Sequence, residues 1–93
     1  MTYSTLQLEN ISKYAESLMK LSHIAALLRI DEDELRLDLA DKTSEVSIVY
    51  REATAKTILA IQESEVKLAK TGSPLALQIV SNYITDLDDD INF

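Results

Sequence analysis

The chain has no cysteine and no tryptophan, and only one histidine, one glycine and one proline among 93 residues. Without cysteine there are no disulfides, thiolate metal sites or cysteine nucleophiles. One glycine cannot build a phosphate-cradling loop, since GxxxxGK[ST] and GxGxxG each need at least two. A serine–histidine–aspartate triad would have to use His23, and no nucleophile-elbow serine accompanies it. A lone histidine just after Ser22 reads as a surface residue near a helix start. One glycine and one proline are also too few to turn the chain through a β-sandwich or barrel. No apolar run approaches the roughly 18 residues of a membrane span. The start, Met1 to Glu9, lacks the basic end and long apolar core of a signal peptide. The expectation is a soluble, cytoplasmic, non-enzymatic protein without cofactor, metal or membrane partner.

What is present points to an all-α chain of one ordinary domain's length. Hydrophobic residues make up 46% while aromatics are 5%, so the core must be built from Leu, Ile, Val and Ala. Net charge is −7, and the acids are clustered. Six fall between Asp31 and Asp41 and four between Asp86 and Asp90, whereas Lys42 to Lys70 carries a net +1. Nonspecific DNA affinity comes from Lys and Arg displacing counterions on phosphate, so a polyanion contact here would have to be local.

Along the chain, residues 1–9 read as a loosely held lead-in with Leu6 and Leu8 free to dock. Asn10 is a good N-cap for a helix carrying Ile11, Tyr14, Ala15, Leu18 and Met19, with Lys20 in its last turn. Ser22 would cap a short second helix bearing Ile24, Ala25, Leu27 and Leu28. Asp31 opens a third: Glu34 three residues on makes a near capping box, and Glu32 and Asp33 complement the helix dipole. Leu35 and Leu39 face inward, while Leu37 lies about 160° from their stripe and is either exposed or buried elsewhere. The same four acids only superficially suggest calcium, because Leu35 and Arg36 stand where an EF-hand loop needs a third oxygen ligand and a glycine.

From about Thr43 to Lys70 one long helix is expected, reaching about 40 Å. Val46, Val49, Tyr50, Ala53, Thr57, Ala60, Ile61, Ser64 and Leu68 form a broad stripe, and Ile48, Ile58 and Val66 lie off its centre. That is more apolar surface than a three-helix core of some 40 residues can cover, which suggests a homo-oligomer. Gly72, Ser73 and Pro74 supply a left-handed terminator, a cap and a first helical residue. A final helix with Leu75, Ala76, Ile79, Val80, Tyr83, Ile84 and Leu87 then returns antiparallel, followed by an acidic tail from Asp88 to Phe93. The expected organisation is a three-helix region, 1–42, and a helical hairpin with acidic tail, 43–93. The residues dividing between hairpin core and subunit interface are Val46, Val49, Tyr50, Ala53, Ile58, Ile61, Leu68, Leu75, Ile79, Val80, Tyr83 and Ile84.

Residues 22–39 have helix-turn-helix spacing. Ile24, Ala25, Leu28, Ile30 and Leu35 occupy the small and apolar positions that let two short helices cross closely. Arg29 stands where such a turn commonly has glycine, at little cost if its backbone is right-handed. The groove-facing positions of the second helix are Asp31, Glu32, Asp33, Arg36 and Leu37, and carboxylates there repel phosphate. They suit a basic protein partner instead, as in an acidic protein–protein adaptor or structural component that has lost DNA binding.

This order of parts resembles the small terminase subunits of tailed phages, the DNA-packaging recognition proteins, and related prophage helix-turn-helix proteins. The resemblance covers about residues 11–87 and rests on Ile24-Ala25-Ala26-Leu27-Leu28 and on the hairpin segment Glu65 to Gln78. It implies a hairpin that assembles subunits into a ring and a helix-turn-helix region that engages double-stranded DNA. Lys13, Lys20, Arg29, Arg36 and Lys42 are then the candidate phosphate contacts, and the location is the host cytoplasm or the virion.

Overall fold

A computed structural model describes residues 2–91, all of whose regular structure is helical. The order is α1 (Thr5–Glu16), α2 (Leu21–Leu28), α3 (Glu32–Ala40), α4 (Glu45–Lys70) and α5 (Pro74–Ile91). The chain divides into two compact units, residues 1–57 and 58–93, and the division falls inside α4.

The first helix begins earlier than Asn10. Ser4 is its N-cap, accepting from the Gln7 amide at 3.1 Å, and the Gln7 side chain accepts from the Ser4 amide at 2.8 Å. This reciprocal box satisfies two of the amides a helix start leaves orphaned. Residues 5–9 are therefore helical rather than a loose lead-in. Leu8 packs on the core, and only Leu6 remains exposed. The second helix likewise starts ahead of Ser22: its N-cap is Lys20, which makes no side-chain capping bond. Asp31 does cap α3, accepting from the Asp33 amide at 2.9 Å, with Glu32, Asp33 and Glu34 in the first turn.

Three helices stop in the same way, on a left-handed residue: Leu18 (φ 56°), Arg29 (φ 57°) and Gly72 (φ 92°). In each case the next amide reaches back to a carbonyl five residues earlier, as Met19 to Tyr14, Ile30 to Ala25 and Ser73 to Leu68. This is the Schellman arrangement, which glycine tolerates without steric cost. The low cost expected for Arg29 is thereby corrected, because its backbone is left-handed. Arg29→Gly is expected to raise the stability of the first unit by about 1 kcal/mol, the order of the left-handed penalty for a residue with a Cβ. Chemical denaturation checks this; unchanged or lowered stability would contradict it.

Ile11, Ile24, Ala25, Leu35, Leu39 and Val46 form the core of the first unit, with Tyr3, Leu8, Tyr14, Met19, Leu21, Leu28, Ile30 and Tyr50 packed around them. Leu35 and Leu39 face inward as their spacing requires, and Leu37 is 73% exposed.

The first unit, residues 1–57, extends past the expected end of the three-helix region at residue 42 because α4 supplies caps to its neighbours. Ser44 caps α4 itself, accepting from the Ser47 amide at 3.2 Å, and its hydroxyl donates to the Asp38 carbonyl at 2.8 Å. The fully buried Ser47 donates to the Leu39 carbonyl at 2.9 Å and accepts from Arg51 Nε at 3.0 Å. A second Arg51 nitrogen donates to the same Leu39 carbonyl at 3.3 Å. Three turns later the Thr57 hydroxyl donates to the carbonyl of Glu16, the last residue of α1, at 2.6 Å. The orphaned C-terminal carbonyls of α1 and α3 thus find donors on α4, which binds residues 45–57 into the first unit.

The Tyr3 hydroxyl donates to Asp38 at 2.7 Å. Burial first, then this bond and the nearby carboxylates, push the phenol well above its ordinary value of 10.0. The folded state holds the proton that the unfolded chain releases, so this contribution is complete below pH about 10 and fades as the pH rises further. Melting temperatures of the parent are expected to fall more steeply above pH 10 than those of Tyr3→Phe. Parallel curves would refute this.

In the second unit, Ser73 caps α5, accepting from the Ala76 amide at 3.4 Å, and Pro74 is the first helical residue. Ala69 and Ala76, on either side of the bend, are buried. A cleft lined by Gln62 of α4 and by Tyr83, Asp86, Leu87 and Asp90 of α5 shows that α5 returns antiparallel. The acidic run is not a separate tail, since α5 continues to Ile91; Asn92 and Phe93 lie outside the described residues.

Candidate interaction surfaces

Among the described residues, no group of three His, Cys, Asp or Glu is placed to hold a metal, and no helix is long and apolar enough to cross a membrane. His23 is exposed in the first turn of α2. Two clefts of the first unit among the described residues are shallow and bring together no converging set of catalytic groups. One, of about 220 Å³, runs past Tyr3, Leu8, Asp38 and Glu45. Another lies between α1 and α4, by Leu8, Glu9, Ser12 and Val49.

The α2–α3 pair forms the first surface. Residues 29–31 join the two helices, and Ile24, Ala25 and Leu35 are buried where they pack. The outer side of α3 exposes Asp31, Asp33, Glu34, Arg36 and Leu37. Arg36 is held by Glu32 at 2.9 Å, an i,i+4 pair that offsets its charge. Just beyond α3, the Asp41 carboxyl accepts from the Thr43 hydroxyl at 2.7 Å and from its amide at 3.0 Å, which keeps it below the usual carboxylate range.

All five basic candidates are exposed, but they are scattered over different elements. Lys13 is in the last turn of α1, Lys20 at the N-cap of α2, and Arg29 in the turn. Arg36 lies on α3, and Lys42 between α3 and α4.

The hairpin is the second surface. Val46 and Tyr50 pack in the N-terminal core, and Ala53 is buried in the same half of α4 with Val49 beside it. Ile58, Ile61, Leu68, Leu75, Ile79, Val80, Tyr83 and Ile84 belong to the second unit. Ile79, Val80 and Tyr83 are half-buried. Ile58, Ile61, Leu68, Leu75 and Ile84 are exposed, and Leu59, Leu77 and Leu87 join them, the eight ranging from 44% to 70%.

With the buried Ala69 and Ala76 taken as the facing positions, about 100° per residue puts Leu59, Val66 and Lys70 on one side of the hairpin together with Leu77 and Ile84. A shallow cleft follows the α4 part of that side, lined by Leu59, Gln62, Glu63, Val66, Lys67 and Lys70. The 46–84 stripe was legible in the sequence. Which half of it serves the first unit depends on the donors α4 gives to α1 and α3, and sequence spacing does not reveal these.

The comparisons with known proteins find nothing. No family model matches the chain, and no curated protein or solved structure matches it either. Its function must be argued from these surfaces.

Proposed function

We propose that this is a non-enzymatic, self-assembling protein with the organisation of a phage or prophage small terminase subunit. In this reading residues 58–87 join copies of the chain, and the α2–α3 pair is a helix-turn-helix presented to double-stranded DNA. One observation carries it: the hairpin leaves eight large aliphatic side chains in water, far more than two packed helices need to expose. Exposed apolar surface on that scale marks an interaction site. The short α2, the left-handed turn residue Arg29 and the buried Ile24, Ala25 and Leu35 support the helix-turn-helix part. The host cytoplasm or the virion is the corresponding location.

Light scattering over a range of concentrations tests the assembly. A stable multimer is expected, and a strict monomer at high concentration would sink the proposal. Titration with duplex DNA at low salt tests the DNA part, where binding that weakens steeply with salt is expected.

The acidic outer side of α3 favours a second reading for that surface, an adaptor for a basic protein. Its cation is neutralised by Glu32, and Asp31, Asp33 and Glu34 surround the approach. Absence of any DNA binding at low salt would select this reading and leave the assembly intact.

A further inference from the structure

We infer that two copies of the chain pair through their hairpins in antiparallel fashion, the bend of one beside the open end of the other. The inference rests on the self-assembly proposed above and adds its geometry. Its basis is charge along the hairpin axis. Between Val66 and Thr85 the only charged residues are Lys67 and Lys70, both next to the bend. The open end carries Asp86, Asp89 and Asp90, all exposed. Among the described residues, the only ion pairs are Glu32–Arg36 and Glu52–Lys56, and neither involves Lys67 or Lys70. The last turn of α4, at the bend, is therefore basic, Glu63 and Glu65 lie about one turn further back, and the opposite end of the hairpin is acidic.

The acidic end also lacks what its own helix needs. A helix C-terminus carries partial negative charge and favours cations, yet the last turns of α5 hold only acids. Lys67 and Lys70 of a second, antiparallel copy would lie near those turns, and its aspartates near the first copy's bend. In a parallel pair, or a ring with every bend on one side, aspartates would crowd aspartates. The apolar contact itself is supplied by Leu59, Val66, Leu77 and Ile84, which share a side with Lys70. Opposed charges set the direction of such a contact more than its strength.

Because the chain has no cysteine, single cysteines report the direction directly. Lys70→Cys and Asp89→Cys full-length proteins would be mixed in equal amounts and oxidised, then compared with each variant oxidised alone. The expected result is a disulfide joining the two variants as the dominant product, with self-linked Lys70→Cys scarce. Raising the salt should weaken the assembly of the parent protein. Efficient self-linking of Lys70→Cys, or assembly that strengthens with salt, would overturn the antiparallel arrangement while leaving self-assembly standing. A monomer by light scattering would remove both.

Discussion

Leu35→Ala is expected to destabilise the first unit by about 2–5 kcal/mol, while Leu37→Ala, two residues along the same helix, changes it by less than about 0.5 kcal/mol. Leu35 is fully buried among Ile11, Ile24 and Leu39, and truncation removes its transfer energy and leaves a cavity. Leu37 is 73% exposed and loses almost nothing. Domains of this size have only some 5–15 kcal/mol in total. At roughly 4–8 °C per kcal/mol, the Leu35 variant should melt at least about 8 °C lower, or be unfolded at room temperature. Thermal and denaturant unfolding followed by circular dichroism would show it. Equal effects at the two positions would mean that α3 is not seated as described.

The double variant Leu77→Gln with Ile84→Gln is expected to weaken self-assembly by about 100-fold or more. Burying a large aliphatic side chain is worth roughly 1.5–3 kcal/mol, and each 1.4 kcal/mol is a factor of ten in affinity. Both residues are about half exposed in the single chain, so their removal costs the hairpin little. Glutamine is a good helix former and adds no charge, so helix content should be unchanged. The readout is molecular mass against concentration, with circular dichroism as the control for folding. A variant that assembles like the parent would exclude the Leu59–Val66–Leu77–Ile84 side as the contact. Loss of helix together with loss of mass would show instead that these residues hold the hairpin together.

The two expectations concern the two units, which share α4, and the two halves of that helix were not equally legible. Over residues 58–87 the neighbours are local. Gly72, Ser73 and Pro74 announce the bend, and three-to-four-residue spacing gives the apolar stripe. Over residues 45–57 the partners of α4 lie far back in the chain: Thr57 bonds Glu16, and Arg51 bonds the carbonyl of Leu39. No periodicity records such bonds. The Ser4–Gln7 box was a readable signal for the start of α1, and the stronger-looking cap at Asn10 obscured it. The basic residues remain dispersed in the structure, so neither sequence nor fold gathers a phosphate-binding patch from Lys13, Lys20, Arg29, Arg36 and Lys42.

The amino-acid sequence by itself determined that the chain is helical, where α3 and α5 are capped, and that Leu35 and Leu39 turn inward. These follow from side-chain chemistry acting over one or two helical turns. Only the tertiary structure decided that Tyr3 is tied to Asp38 and that the first unit runs on to Thr57. Each depends on a contact between segments distant in sequence, where packing and the need to satisfy buried carbonyls override local preference.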